Sequence, residues 1–376
     1  MRIDDEDRFD RFRLISWWDQ DRLARSTVMV VGVGAIGNEA IKNLALLGIG
    51  HIVLVDRDRV ELSNLSRSIL FRTSDRGRFK AEVAAESVRS IHPGCRTTPI
   101  VGDIQFDVGL SWFDQADIVL GCLDNREARL WVNRCCWRVG TSWIDAGIQE
   151  IQGALQMFQA RKAPCYECGM KEIDYRLISA RYSCPGMGRD DVPLGQVPTT
   201  PTISSIIGAW QSQMAVKALH ELSLPWGSSL VVNGLSDSTY RIQLQEKEGC
   251  LSHEMWELDH KIGAEGKEWT LQQLLEFASN QWQGEWSLML ERRLATRLAC
   301  ETCQRTVELE NPVATFGAGE GRCPECHAWM TPTWIDSIEF GSKHALKRPI
   351  DLGIPNGDWV RIRQEKYVKI IGLPSP

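Results

Sequence analysis

The chain has 376 residues, with 43 Lys and Arg against 49 Asp and Glu for a formal charge of −6, and 43% hydrophobic residues. About two domains are expected at that length. The balanced charge excludes a disordered chain, and no apolar run nears the ~18 residues of a membrane helix, so no membrane partner is expected. The mildly acidic whole gives no general field for nucleic acid, and the polar start MRIDDEDRFD holds no apolar stretch for a signal peptide, so a cytoplasmic location is expected.

The first half alternates β-rich runs with helical patterns, which predicts a parallel sheet with helices packed on it. TVMVVGVG reads as a buried strand, and the helix after it carries Ile36, Ala40, Leu44 and Leu47 on one face. HIVLVD is a second strand, then come the helix KAEVAAESVRSIH, the strands TTPIVG and ADIVLGCLD, the helix NREARLWVNRCCWRVG and SWIDAG. This periodicity predicts a doubly wound, Rossmann-like α/β domain. After Gly147 the pattern turns antiparallel with IQGALQMFQA. TPTISSIIGAWQSQMAVKALHEL is then a long helix, and SLVVNGL with STYRIQLQ a closing hairpin. Composition shifts near residue 248, which sets expected boundaries of 1–250 for the first domain, 251–268 for a connector and 269–376 for a small α+β zinc-binding domain. The last of these carries one helix (WTLQQLLEFA), several short strands and a PNGD turn ahead of two of them.

Gly32, Gly34 and Gly37 form G-x-G-x-x-G between a strand and a helix. Such glycines let a turn tighten and a phosphate approach a positive helix N-terminus. Asp56 ends the following strand, where an acid can meet a ribose hydroxyl. Any nucleotide-binding α/β domain, a dehydrogenase included, could carry this much. The polar run from Asp56 through Asp58 and Asn64 to Arg67, then Lys80, then Asp124 beyond the strand ADIVLGC, narrows the choice. Together they supply cations for a triphosphate and an acid for Mg2+. That inventory suits attack on an α-phosphate better than hydride transfer.

Twelve cysteines without a signal peptide point to reduced thiols, and so to metal or catalysis more than to disulfides. Three C-x2-C pairs stand out, Cys165/Cys168, Cys300/Cys303 and Cys323/Cys326, and Cys250 opens a C-x2-H with His253. The last two pairs have zinc-ribbon spacing. Cys95, Cys122, Cys135 and Cys136 read as small buried apolar residues. That leaves Cys184, in the polar stretch RYSCPGMGRDD.

GVGAIGNEAIKNLALLGIGHIVLVDRDRVELSNLSR, Lys80, CLDNREAR, CYEC and PTISSIIGAWQSQMAVKAL together resemble the ThiF/MoeB/HesA family, relatives of ubiquitin-activating enzymes, over roughly residues 8–253. The resemblance implies an adenylyltransferase that uses ATP to activate the C-terminal glycine carboxylate of a ubiquitin-like or sulfur-carrier protein, releasing pyrophosphate. It implies that Asp56 holds the ribose, that Asn64, Arg67 and Lys80 contact the phosphates, and that Asp124 holds Mg2+. It implies a homodimer in which Arg11 reaches into the partner subunit's site. It also implies a zinc site on Cys165, Cys168, Cys250 and His253, where the family has four sulfurs, and it gives Cys184 the place of a crossover-loop nucleophile. Ser68 departs from the family's usual Gln. Transfer of the acyl group to Cys184 as a thioester would serve conjugation, with a conjugating enzyme as a further partner. The alternatives are sulfur transfer from a sulfur donor, adenylation of a peptide or in tRNA modification, and a non-catalytic scaffold. The C-terminal domain, by analogy, would recruit a partner protein.

Overall fold

The computed structural model describes residues 7–183, 198–313 and 321–375. Two compact units emerge, the first from 7–105, 112–170 and 198–255, the second from 106–111, 171–183, 256–313 and 321–375. The second therefore takes in two short stretches that linear boundaries assign to the first half.

In chain order the first half contains α1 (Gln20–Arg25), β1 (Thr27–Val31), α2 (Ala35–Leu47), β2 (His51–Val55), α3 (Lys80–Ile91), β3 (Arg96–Ile100), α4 (Leu110–Asp114), β4 (Ile118–Gly121), α5 (Arg126–Val139), β5 (Trp143–Gln149) and β6 (Gln152–Phe158). After α6 (Glu172–Ser183) come α7 (Pro201–Leu219), β7 (Ser228–Asn233) and β8 (Ser238–Gln243). The first unit is built on one eight-stranded sheet in the order β3-β2-β1-β4-β5-β6-β7-β8. Strands β1 to β5 pair in parallel, and β5 to β8 antiparallel. The continuous apolar runs of β1, β2 and β4 are fully buried, as parallel strands covered on both faces should be. The order reverses between β1 and β4, and in open α/β sheets ligands bind at the carboxyl ends beside such a reversal.

The long helix α7 starts on a Thr200 cap with Pro201 in its first turn, a favoured opening. It lies against α2 so closely that a Cβ on Gly208 would stand 2.6 Å from the Glu39 Cβ. Gln211 of α7 is fully buried and donates to the carbonyls of Gly121 and Ile144 at 3.0 and 2.9 Å, stitching β4 to β5.

The second unit holds β9 (His260–Lys261), α8 (Leu271–Trp282), β10 (Ser287–Ala299), β11 (Thr306–Val313), β12 (Thr331–Ile338), β13 (Trp359–Gln364) and β14 (Tyr367–Gly372). Its sheet runs β11-β10-β13-β14-β9, with β12 on β10. Leu271, Leu274, Leu275 and Ala278 of α8 pack into a core with Leu288, Ile362 and Ile371. Among the described residues of this unit, the strand that precedes α8 is the two-residue β9. No described helix is long and apolar enough to cross a membrane.

Candidate nucleotide site and metal centres

The glycine loop is a tight turn with one open side. Gly32 has φ +94°, and a Cβ there would stand 2.3 Å from the Cys122 carbonyl oxygen. A Cβ on Gly37 would stand 2.1 Å from the Gly32 oxygen, whereas one on Gly34 would meet nothing within 4 Å. Gly32 and Gly37 are thus demanded by the chain itself. Gly34, at the cap position of α2, is the glycine that leaves space before a helix N-terminus, where an anion is favoured.

Asp56 follows β2 and is half-buried. It accepts the Val33 N–H at 2.7 Å and the Asp58 N–H at 2.8 Å. Burial raises its pKa, opposed by Lys80 and those two backbone bonds. The segment from Asp58 to Lys80 folds back on itself: Val60 N–H donates to the Arg78 oxygen and Lys80 N–H to the Asp58 oxygen, both at 2.9 Å. This closure sets the Lys80 ammonium 2.8 Å from the Asp58 carboxylate. Arg59 lies over the Phe79 ring at 3.7 Å and pins the turn.

Asn64 ends a 3-10 turn, Leu62–Asn64, and caps it by accepting the Glu61 N–H at 3.0 Å. Arg67 donates to the Ser63 carbonyl at 3.0 Å and forms no ion pair among the described residues. Asn38, fully buried in α2, ties this segment to the glycine loop: its Nδ2 donates to the Val33 carbonyl at 2.8 Å, and its Oδ1 accepts the Leu70 N–H at 2.8 Å. Asp124 is exposed just beyond β4, where its Oδ1 accepts from the Asn125 side chain at 3.0 Å. Asn125 in turn caps α5 through Ala128 N–H.

The structure thus brings Gly32, Gly34, Gly37, Asp56, Asp58, Lys80 and Asp124 to the carboxyl edge around β1, β2 and β4, with Asn64 and Arg67 on the segment Asn38 secures. Arg11 lies elsewhere. It sits on an N-terminal 3-10 turn, Asp10–Leu14, next to Phe9, which packs against Gly48 at the far end of α2. One helix length, about 20 Å at 1.5 Å per residue, separates that end from the glycine loop. Cys184 lies outside the described residues. Cys95, Cys122, Cys135 and Cys136 are buried as expected, and burial raises the pKa of the Cys95 thiol to about 11.

Three residues of this edge have no clear signal in the sequence. Arg129 donates from Nε to Asp145 at 3.1 Å and from Nη2 to the carbonyls of Leu123 and Ala146 at 2.6 and 3.2 Å. Burial raises the Asp145 pKa to about 6 against the pull of Arg129. The Tyr166 phenol lies beside Arg129 and Asp145, and burial pushes its pKa up to about 12. Arg129 stands in the quoted CLDNREAR, one turn beyond the Asn125 cap, but a helical arginine reads as exposed until the sheet partner is known.

Two clusters suit a metal. In the first, Cys165 Sγ lies 3.7 Å from Cys168 Sγ and 3.7 Å from Cys250 Sγ, and Cys168 Sγ lies 3.4 Å from His253 Nε2. Tetrahedral zinc with Zn–S near 2.3 Å and Zn–N near 2.0 Å asks for separations of about 3.8 and 3.5 Å, so the donors fit. Trp137 stacks on the His253 ring at 3.9 Å, and Asn133 donates to Cys165 Sγ at 3.5 Å. In the second, Cys300 faces Cys326 at 3.4 Å and Cys303 faces Cys323 at 3.5 Å. The two knuckles repeat one geometry: Cys300 N–H donates to the Arg305 oxygen and Cys323 N–H to the Ala328 oxygen, each at 2.8 Å. Gln304 and His327, the residues after each second cysteine, both take positive φ, at 62° and 59°. Backbone N–H donors lower the pKa of Cys300, to about 6, and of Cys323, whereas those of the facing Cys326 and Cys303 are raised.

Comparison with known proteins agrees with this architecture. The sequence pattern of the ThiF family matches residues 7–252. The SUMO-activating enzyme subunit 2 of Dictyostelium discoideum is 37% identical over 149 residues, 39% of this chain and 22% of that protein. Ubiquitin-like modifier-activating enzyme 5 of the same organism is 29% identical over 203 residues, 48% of this chain and 50% of that protein. The match thus spans no more than half of either relative. Among solved structures, E. coli MccB with ATP shares the fold at TM-score 0.55 and 24% identity, covering 66% of this chain and 74% of that one. With the nucleotide-type edge, the knuckle and a family match over most of its length, this chain belongs to the ThiF family.

Proposed function

We propose that the protein is an E1-like adenylyltransferase that joins AMP to the C-terminal carboxylate of a ubiquitin-like protein or peptide. The observation that carries this reading is the open glycine, Gly34, at a helix N-terminus on the same sheet edge as Lys80 and Asp124. Two anions, a triphosphate and a carboxylate, must meet there, and cations with a metal stabilise the charge that develops at the α-phosphate. ATP would lie before Gly34, with Asp56 and Asp58 at the ribose side and Asn64, Arg67 and Lys80 at the phosphates. Mg2+ would supply electrostatic stabilisation when held by the Asp124 carboxylate. Zinc at Cys165, Cys168, Cys250 and His253, and at Cys300, Cys303, Cys323 and Cys326, would fix the two loops that carry these residues.

The position of Arg11, a helix length from its own glycine loop, supports a homodimer in which it serves the partner subunit's site. Cys184 would accept the acyl group as a thioester, for conjugation or for sulfur transfer. Incubation with Mg-ATP, hydroxylamine and ubiquitin-like proteins or peptides ending in a free glycine carboxylate tests the reading. It predicts a hydroxamate on one of them, formed also by Cys184→Ser. A thiol-sensitive adduct without hydroxylamine should form only when Cys184 is present.

A further inference from the structure

The first metal knuckle reaches the nucleotide edge. Between Cys165 and Cys168 stand Tyr166 and Glu167, and both side chains engage α5. Glu167, fully buried, accepts from Arg134 Nε and Nη2 at 3.1 and 2.6 Å. It also accepts from the Ser252 hydroxyl, which takes a bond from Asn133 at 2.8 Å. Asn133 Oδ1 accepts the Tyr166 N–H at 3.0 Å. The Tyr166 ring lies beside Trp143 and Phe158, with centroids 6.0 and 6.3 Å away, and its phenol lies beside the Arg129 guanidinium.

Arg129 is the link onward. Its Nη2 donates both to the Leu123 carbonyl just beyond β4 and to the Ala146 carbonyl in the middle of β5, while its Nε holds Asp145. Leu123 directly precedes Asp124, so a shift of the guanidinium shifts the backbone that presents that carboxylate. We propose that Arg129 is a positioning residue for Asp124, and that the Cys165–Cys168 knuckle holds it in place through Tyr166. The metal centre then sets the nucleotide edge as well as pinning a loop. The catalytic consequence rests on the adenylation reading, while the mechanical linkage does not.

Tyr166→Phe in the full-length protein tests this, because it removes only the phenol oxygen. The variant should keep both metal equivalents and its unfolding temperature. Amide hydrogen exchange over 122–126 should quicken several-fold, and the Mg2+ concentration giving half-maximal pyrophosphate formation should rise several-fold with the KM for ATP unchanged. Arg129→Lys, which keeps a charge but has one nitrogen where arginine uses Nε for Asp145 and Nη2 for the two carbonyls, should give the same signature. Unchanged exchange over 122–126, or loss of the metal from Tyr166→Phe, would overturn the linkage. Quickened exchange with unaltered Mg2+ dependence would overturn the positioning of Asp124. If the wild-type protein forms no pyrophosphate, the adenylation reading fails, and hydrogen exchange still decides the linkage.

Discussion

Lys80 and Asp58 form an ion pair at 2.8 Å although 22 residues separate them. The pair exists because the intervening segment closes on itself through backbone bonds, so the cation is held at the edge before any phosphate arrives. Asp58 is more than half exposed, and such a pair is worth about 1 kcal/mol or less. Lys80→Met should therefore leave chemical unfolding within about 1 kcal/mol of wild type. Pyrophosphate formation should fall by roughly two to three orders of magnitude, as when one aligned charge donor is lost. A large loss of stability with activity retained would mean that Lys80 is structural.

The glycines separate two roles. Gly34→Ala should fold with a stability change of about 1 kcal/mol or less, the scale of a changed helix cap, and should raise the KM for ATP. Gly37→Ala must push the Gly32 carbonyl aside and should destabilise the protein by several-fold more. Unfolding curves and nucleotide titrations of the two variants check this directly.

Metal content should be two zinc ions per chain, one on each cluster. Cys165→Ser and Cys300→Ser should each lower the count to one. Chelation should lower the unfolding temperature, because binding at a site formed only in the folded state is folding free energy. Elemental analysis beside calorimetry reads both.

Asp145 gives a pH signature. Its folded pKa, near 6, is raised above the ordinary carboxylate value by burial. The folded protein therefore binds the extra proton between about pH 4 and 6, and this group's contribution to stability is largest at the acid end and is lost as pH rises through 6. At 1.36 kcal/mol per unit the loss is about 3 kcal/mol. Denaturant unfolding of wild type and Asp145→Asn should show the difference between them moving by that order between pH 4 and 6 and staying flat above.

Dimerisation with exchanged arginines makes a mixing prediction. Arg11→Ala and Asp124→Ala should each be inactive alone. After unfolding and co-refolding, about a quarter of wild-type activity should return, since half the dimers are mixed and one of their two sites is intact. No recovery would place Arg11 outside the site.

Much of this fold was legible because its signals are local. The apolar runs of β1, β2 and β4, the helix α2 after its glycine loop, and the cluster of Cys300, Cys303, Cys323 and Cys326 fall where periodicity and spacing put them, and the cluster of Cys165, Cys168, Cys250 and His253 where the family resemblance put it. What stayed hidden depends on pairing distant in sequence. Arg129 and Gln211 read as ordinary helical polar residues, yet each satisfies one carbonyl at or just beyond the end of β4 and one within β5. Tyr166 lies inside a metal knuckle, where the cysteines draw the attention. The stretches 106–111 and 171–183 belong with the second unit, for which linear composition carries no mark.

The most direct measurement is the identity of the nucleotide products when Mg-ATP is supplied with ubiquitin-like proteins and peptides ending in a free glycine carboxylate. Attack at the α-phosphate predicts AMP and pyrophosphate, dependent on the carboxylate and abolished by Asp124→Ala. ADP and inorganic phosphate, or no ATP consumption with any of these carboxylates, would contradict it.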